Sequence, residues 1–160
     1  MPIKTLFKKV LHLAYWVRNR FNTSYKLLSV TGAEAEVLNN KMDAFITQQV
    51  AFKGELEVFK NYVIKNKGQV IAGIRSCFYL GQCLAINVLF VDDEHRHKGL
   101  GSLLLNKVEE QAKKMGAHLV HLDTFDFQAK DFYLKHGYEI FGVLENCPAG
   151  HTRFYMKKNL

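Results

Sequence analysis

Apolar residues recur along this chain with two different periods, and each change of period marks a boundary between elements. Leu6, Val10, Leu13, Ala14, Val17 and Phe21 share one face at about 100° per residue, with Lys8, Lys9, His12, Asn19 and Arg20 opposite. This predicts an amphipathic helix over residues 1–23, with Trp16 at the edge of its stripe. Tyr25–Val30 reads as a first short strand. Thr31, with Glu34 three residues on, is the signature of a capping box opening a helix. That helix is expected to bury Val37, Leu38, Met42, Phe45 and Ile46. Strand-like runs follow at 56–65 and 69–79, joined by the turn-forming Asn66-Lys67-Gly68. Gly81-Gln82 turns the chain into Cys83–Val91, which is apolar on both alternating faces except at Asn87 and reads as a strand covered on both sides.

The strongest helical pattern comes next. Leu100, Leu103, Leu104, Val108, Ala112 and Met115 form its stripe, Glu109–Lys113 and Glu110–Lys114 are spaced as supporting pairs, and Gly116 is its stop. A strand at Ala117–Leu122, a short helix over Phe127–His136 ended by Gly137, and strands at Tyr138–Glu145 and Thr152–Lys157 complete the chain. The order β-α-β-β-β-α-β-α-β-β predicts a mixed sheet with helices on both faces, in the α+β class with α/β-type layers.

Composition narrows the setting. At 160 residues and 18.4 kDa, with 48% hydrophobic and 23% charged residues, the chain has one domain's worth of core and is not disordered. Three cysteines without a CxxC pair argue against a disulfide scaffold. The formal charge of +7 is unevenly placed: residues 1–26 hold 6 of the 22 basic residues and none of the 15 acids, so the remainder is close to neutral. A near-neutral domain with a basic arm is not the profile of a nucleic-acid binder, and no RNP-like motif is present. The apolar run Val10–Val17 is interrupted by His12, closed by Arg18 and followed by no small-x-small cleavage site, which argues against a signal peptide. No run approaches the roughly 20 apolar residues of a membrane span, so a cytoplasmic protein is expected. The arm reads as a helix packing on the domain or on a second copy. A peripheral membrane or partner contact by residues 1–22, or a homodimer, stays open.

Chemistry concentrates where Cys83–Val91 ends. Arg96-His97-Lys98-Gly99-Leu100-Gly101 joins that strand to the long helix. Two glycines at spacing two let the backbone approach a ligand and expose successive N–H groups at the positive end of a helix dipole. Such a turn suits a pyrophosphate, although a plain helix start explains it as well on these residues alone. It is not a dinucleotide fingerprint, because Leu104 holds the third glycine's place, nor a Walker loop. His95 and His97 beside Asp92, Asp93 and Glu94 fit a solvated, phosphate-facing loop better than a metal site, so no metal is expected. Cys147 lacks the basic neighbour or helix start that would activate a thiol.

Arg96-x-x-Gly99-x-Gly101 after an apolar strand, then helix, strand and Phe132-Tyr133-Leu134-Lys135-His136-Gly137-Tyr138, resembles the GNAT superfamily of acyl-CoA-dependent N-acetyltransferases. Asp123-Thr124-Phe125-x-Phe127-Gln128-Ala129 and Pro148-x-Gly150-His151 are similar to a small bacterial subgroup of it. The resemblance covers residues 25–157 and makes 24–160 the transferase domain. It implies a mixed, splayed sheet with acetyl-CoA wedged where strands 84–91 and 117–124 part.

It further implies that Arg96, His97, Lys98, Gly99, Leu100, Gly101 and Ser102 hold the pyrophosphate. Leu89, Phe90 and Val91 would pair with the pantetheine arm as an extra strand. A backbone N–H near Leu89–Phe90 would polarise the thioester carbonyl, and Tyr133 would protonate the departing thiolate. The activity implied is transfer of an acetyl group from acetyl-CoA, a co-substrate, to a primary amine of a small molecule or protein by direct attack.

Two departures from the family stand out. Asp126 occupies a place often held by Asn, and reads as a helix cap. Strand 84–91 carries no carboxylate to serve as base, which leaves Asp123, His121 or Glu145, or no base at all. Two rival readings follow: a catalytically silent acyl-CoA-binding module, and an interaction protein recruited by its basic helix.

Overall fold

The computed structural model describes residues 27–50, 59–80 and 82–160. The chain divides into two compact units, Met1–Phe45 and Ile46–Leu160. The amphipathic stripe expected over 1–23 lies outside the described residues, as do Tyr25 and Lys26 of the expected first strand. Residues 27–30 form no strand, and Leu27, Leu28 and Val30 are exposed. An apolar run becomes a strand only where a sheet edge supplies its backbone partners.

Helix α1 spans Gly32–Gln49. Its start is the expected capping box: the Thr31 N–H and hydroxyl donate to Glu34 Oε2 at 2.8 and 2.7 Å, and the Glu34 N–H donates to Thr31 Oγ1 at 3.3 Å. The expected burial does not follow. Val37, Leu38, Met42 and Phe45 are exposed and Ile46 is half-buried. Periodicity marks the face that could be buried, not what buries it.

The second unit holds a six-stranded sheet of order β1-β2-β3-β4-β6-β5. Its strands are β1 (Tyr62–Asn66), β2 (Gln69–Tyr79), β3 (Cys83–Val91), β4 (Leu119–Phe125), β5 (Glu139–Leu144) and β6 (Arg153–Asn159). Positive φ at both Lys67 and Gly68 makes the β1–β2 connection a tight hairpin turn of the primed kind. Only β3 and β4 pair in parallel; the other neighbours are antiparallel. Helix α2 (Leu100–Lys114) crosses from β3 to β4, and α3 (Lys130–Lys135) follows β4.

One core binds this unit together. Leu84, Ile86, Val120, Leu122 and Met156 of the sheet pack with Leu104, Leu105, Val108 and Ala112 of α2 and with Tyr133 of α3. Leu105 takes the place expected for Leu103, which is 61% exposed. Both helices end in the same way. Gly116 and Gly137 adopt positive φ, and the following N–H reaches five residues back, Ala117 to Ala112 and Tyr138 to Tyr133.

Glu110 pairs with Lys114 as expected, at 2.6 Å. Glu109 does not pair with Lys113. It is buried, accepts a 2.7 Å bond from the Tyr138 hydroxyl and pairs with Lys158 at 2.6 Å. Burial first, and then the Glu109 charge, push the Tyr138 phenol up, which keeps it a donor. This network ties α2 to the chain just after α3 and to β6.

Candidate active site

The site begins with a defect in β3. Arg75 of β2 faces Val88, whereas the next residue, Ser76, faces Ile86, so Asn87 is an extra residue in a β-bulge. Asn87 was the lone polar residue in an apolar run, and that was the only sequence signal for the bulge. The bulge corrects the expectation of a strand covered on both faces. Leu84, Ile86, Leu89 and Val91 serve the core side, whereas Asn87, Val88 and Phe90 are exposed.

The sheet opens at the same place. β3 and β4 pair from Cys83↔Leu119 to Ile86↔Leu122 and no further. Beyond that pair β4 continues against β6, with Asp123↔Tyr155, Thr124↔Phe154 and Phe125↔Arg153. Residues 88–91 keep β2 on one side and have no strand on the other among the described residues. Leu89, Phe90 and Val91 therefore stand along an edge that no described strand covers, with the Val91 carbonyl taken by the Arg96 side chain.

That edge leads into the helix turn. After a single 3₁₀ turn at Asp93–His95, His97 and Gly99 both adopt left-handed backbone, at φ 60° and 79°. The first helical bond of α2 runs from Leu103 N–H to Gly99 C=O at 2.9 Å. The N–H groups of Leu100, Gly101 and Ser102 therefore precede the intrahelical ladder, at the positive end of the helix. His97 and Lys98 are exposed beside them.

Three expected phosphate ligands have additional or different engagements. Arg96 is turned back: its Nε donates to the Val91 carbonyl at 3.2 Å and its Nη2 lies 2.7 Å from Asp93 Oδ1. Gly101 sits against α3, and a Cβ there would lie 3.4 Å from Phe132 Cζ and 3.8 Å from Val91 Cγ2. The Ser102 hydroxyl is bonded at 2.9 Å to His136 Nε2. His136 had no role in the sequence reading, because nothing local connects positions 102 and 136.

Tyr133 is buried in α3, with its ring edge-on to Phe132 and to Tyr138. Burial, then the nearby Asp123 carboxylate, push its phenol up to about 12. It is held protonated near neutral pH. Asp123 lies just past the last β3–β4 pair, and its Oδ2 takes two bonds from Arg153, at 2.8 Å from Nε and 2.7 Å from Nη2. The Arg153 guanidinium lies over the Phe125 and Tyr155 rings, each at 5.4 Å. His121 is engaged by the Tyr79 hydroxyl at 2.7 Å, and Glu145 is exposed in the loop after β5.

The helix expected from Phe127 begins only at Lys130. Gln128 Oε1 accepts the Phe125 N–H at 2.9 Å, and Thr124 Oγ1 accepts the Ala129 N–H at 3.3 Å, so residues 126–129 form turns. Asp126 consequently caps no helix. It receives the Thr152 N–H at 3.1 Å and the His151 Nδ1 at 3.0 Å, clamping the 146–152 loop onto the end of β4. Among the described residues no cluster of His, Cys, Asp and Glu is placed to hold a metal, and no helix is long and apolar enough to cross a membrane.

This layout has counterparts among known proteins. The Acetyltransferase (GNAT) family profile matches residues 33–138, and the chain belongs to this family. Blasticidin-S acetyltransferase of Streptomyces morookaense is 32% identical over 106 residues, 66% of this chain and 77% of its own. A crystal structure of an acetyltransferase from Bacillus cereus ATCC 14579 superposes with a TM-score of 0.74 at 37% identity, covering 85% of this chain and 98% of that one. An aminoglycoside 6'-N-acetyltransferase complexed with coenzyme A shares the fold at 20% identity and a TM-score of 0.54, covering 61% and 70%. The chain is thus an acetyltransferase of the GNAT fold.

Proposed function

We propose that this protein transfers an acetyl group from acetyl-CoA to a primary amine by direct attack in a ternary complex. The observation that carries the reading is the coincidence of the β3 bulge, the parting of β3 and β4, and the N–H groups that precede the hydrogen-bond ladder at the N-terminus of α2. A thioester with a pantetheine arm and a pyrophosphate needs these features in this order. The arm's amides pair with the open edge at Leu89, Phe90 and Val91. The pyrophosphate sits on the N–H groups of Leu100, Gly101 and Ser102, with His97 and Lys98 beside it, and Gly99 supplies the left-handed turn.

In the reaction the amine nitrogen attacks the thioester carbonyl carbon, forming the C–N bond as the C–S bond breaks. A backbone N–H at the bulge stabilises the carbonyl oxygen as it gains charge. Tyr133, kept protonated by burial and by Asp123, gives its proton to the leaving sulfur. The excess proton on the nitrogen leaves to solvent, and the tyrosinate left at Tyr133 takes a proton back from solvent, which restores the phenol.

Coenzyme A release, followed with a thiol reagent across an amine panel, tests this. The panel includes blasticidin S, aminoglycosides, polyamines, lysine peptides and free peptide N-termini. Turnover on one of these amines is expected, and Tyr133→Phe should lower kcat by about 100-fold with acetyl-CoA affinity unchanged. Tight acetyl-CoA binding without turnover on any amine would instead favour a silent binding module.

A further inference from the structure

His136 closes α3 in a way that settles where its hydrogens are. Its Nδ1 lies 2.8 Å from the Phe132 carbonyl oxygen, which can only accept. Nδ1 therefore carries the hydrogen. The helix leaves that carbonyl free for the ring, because the His136 N–H goes to Tyr133 O instead. In the neutral ring Nε2 then has only a lone pair, so the 2.9 Å contact with Ser102 is a bond donated by the serine hydroxyl.

The consequence concerns phosphate. Ser102 stands in the first turn of α2, among the free N–H groups, yet its one hydroxyl hydrogen points at His136. A hydroxyl that has given its hydrogen away offers only lone pairs, and a phosphate oxygen offers the same. Protonation of His136 reverses the bond: Nε2–H donates to Ser102 Oγ, and the hydroxyl hydrogen turns outward to a phosphate oxygen. The anion in turn stabilises the imidazolium across that one oxygen.

We propose that His136 is a positioning residue for the cofactor, taking up a proton from solvent as the acyl-CoA pyrophosphate docks on Ser102. The inference rests on the acyl-CoA reading of the α2 turn. No covalent bond changes; one proton moves from buffer to His136 Nε2. Other groups near the event are accounted for. From α2 the ring meets Ser102, and from its own helix the Phe132 ring at 4.2 Å. Lys158 of β6 passes Gly137, but its ammonium is paired with Glu109. His95, Arg96, His97 and Lys98 precede α2. A difference between wild type and a His136 variant separates them.

The test is calorimetric titration of the full chain with dephospho-CoA, whose pyrophosphate stays fully ionised from pH 6 to 9, in buffers of different ionisation enthalpy. Wild type should take up a fraction of a proton near pH 7. Its Kd should rise about tenfold from pH 6 to 9, because an average uptake of about a third of a proton over three pH units changes log Kd by about one. His136→Gln keeps a neutral partner for Ser102 and should lose both effects. Ser102→Ala should lose them with His136 in place, and decides the matter if the glutamine variant does not fold. Binding without proton uptake, or uptake unchanged in both variants, overturns the proposal and leaves the acyl-CoA reading intact. No binding of dephospho-CoA or acetyl-CoA by wild type overturns both.

Discussion

The two glycines of the helix turn have different jobs, and substituting each by alanine should separate them. At Gly99 a Cβ meets nothing within 4 Å, but φ is 79°, where a side chain strains the backbone. Gly99→Ala should therefore cost about 1–2 kcal/mol, entirely from conformation. Gly101 has no such backbone demand. An added Cβ would sit 3.4 and 3.5 Å from the Phe132 ring and 3.8 Å from Val91, which is ordinary contact at its tight end. Alanine also gains up to about 1 kcal/mol of helix propensity, less in a first turn. Gly101→Ala should thus fall between neutral and mildly stabilising. Gly101→Val pushes Phe132, and with it the His136 contact, at a cost of about 1–3 kcal/mol. Urea denaturation reads the stabilities and acetyl-CoA titration the affinities, with Gly101→Ala binding normally and Gly101→Val weakly. If Gly99→Ala matched wild type while Gly101→Ala lost more than about 2 kcal/mol, the assignment of roles would be reversed and the reasoning refuted.

Two further expectations concern the frame around the site. Lys158→Met strands the buried Glu109 carboxylate with the Tyr138 hydroxyl as its remaining partner, and should cost about 2–3 kcal/mol, below the fully buried range because Lys158 is 25% exposed. Adding Glu109→Gln should restore most of that in thermal denaturation; an additive double variant would show that the two residues do not act as a pair. The Asp126 carboxyl is raised by its partial burial, but the Thr152 N–H, His151 and the Phe127 N–H outweigh this and hold it below the ordinary range. A depressed carboxyl contributes stability above its unfolded value of about 3.9, which is lost as pH falls through the folded value. Urea midpoints between pH 2.5 and 5 should therefore fall less steeply for Asp126→Asn than for wild type, and equal slopes would remove the clamp from the account.

Much of this protein was legible in its sequence because the signals were local. The limits of β2 and β3 agree with alternation and turn chemistry, and the Thr31–Glu34 box and the two glycine stops formed from residues within a few positions of one another. Those interactions need no knowledge of the rest of the fold. The Arg96–Gly101 turn was visible for the same reason, as a short motif between predicted elements, whereas Tyr133 was singled out only by the family resemblance. Contacts between residues distant in sequence were not legible. Glu109 chose Lys158 over Lys113, Asp126 clamped a loop instead of capping a helix, and the Ser102 hydroxyl went to His136. The bulge at Asn87 and the parting of β3 from β4 belong to this second group, because register is a property of paired strands and neither strand carries it alone. The sequence by itself determined most of the elements and the glycine turn that opens α2. Only the tertiary structure decided that the sheet opens beside that turn, since opening requires β4 to leave β3 and stay with β6.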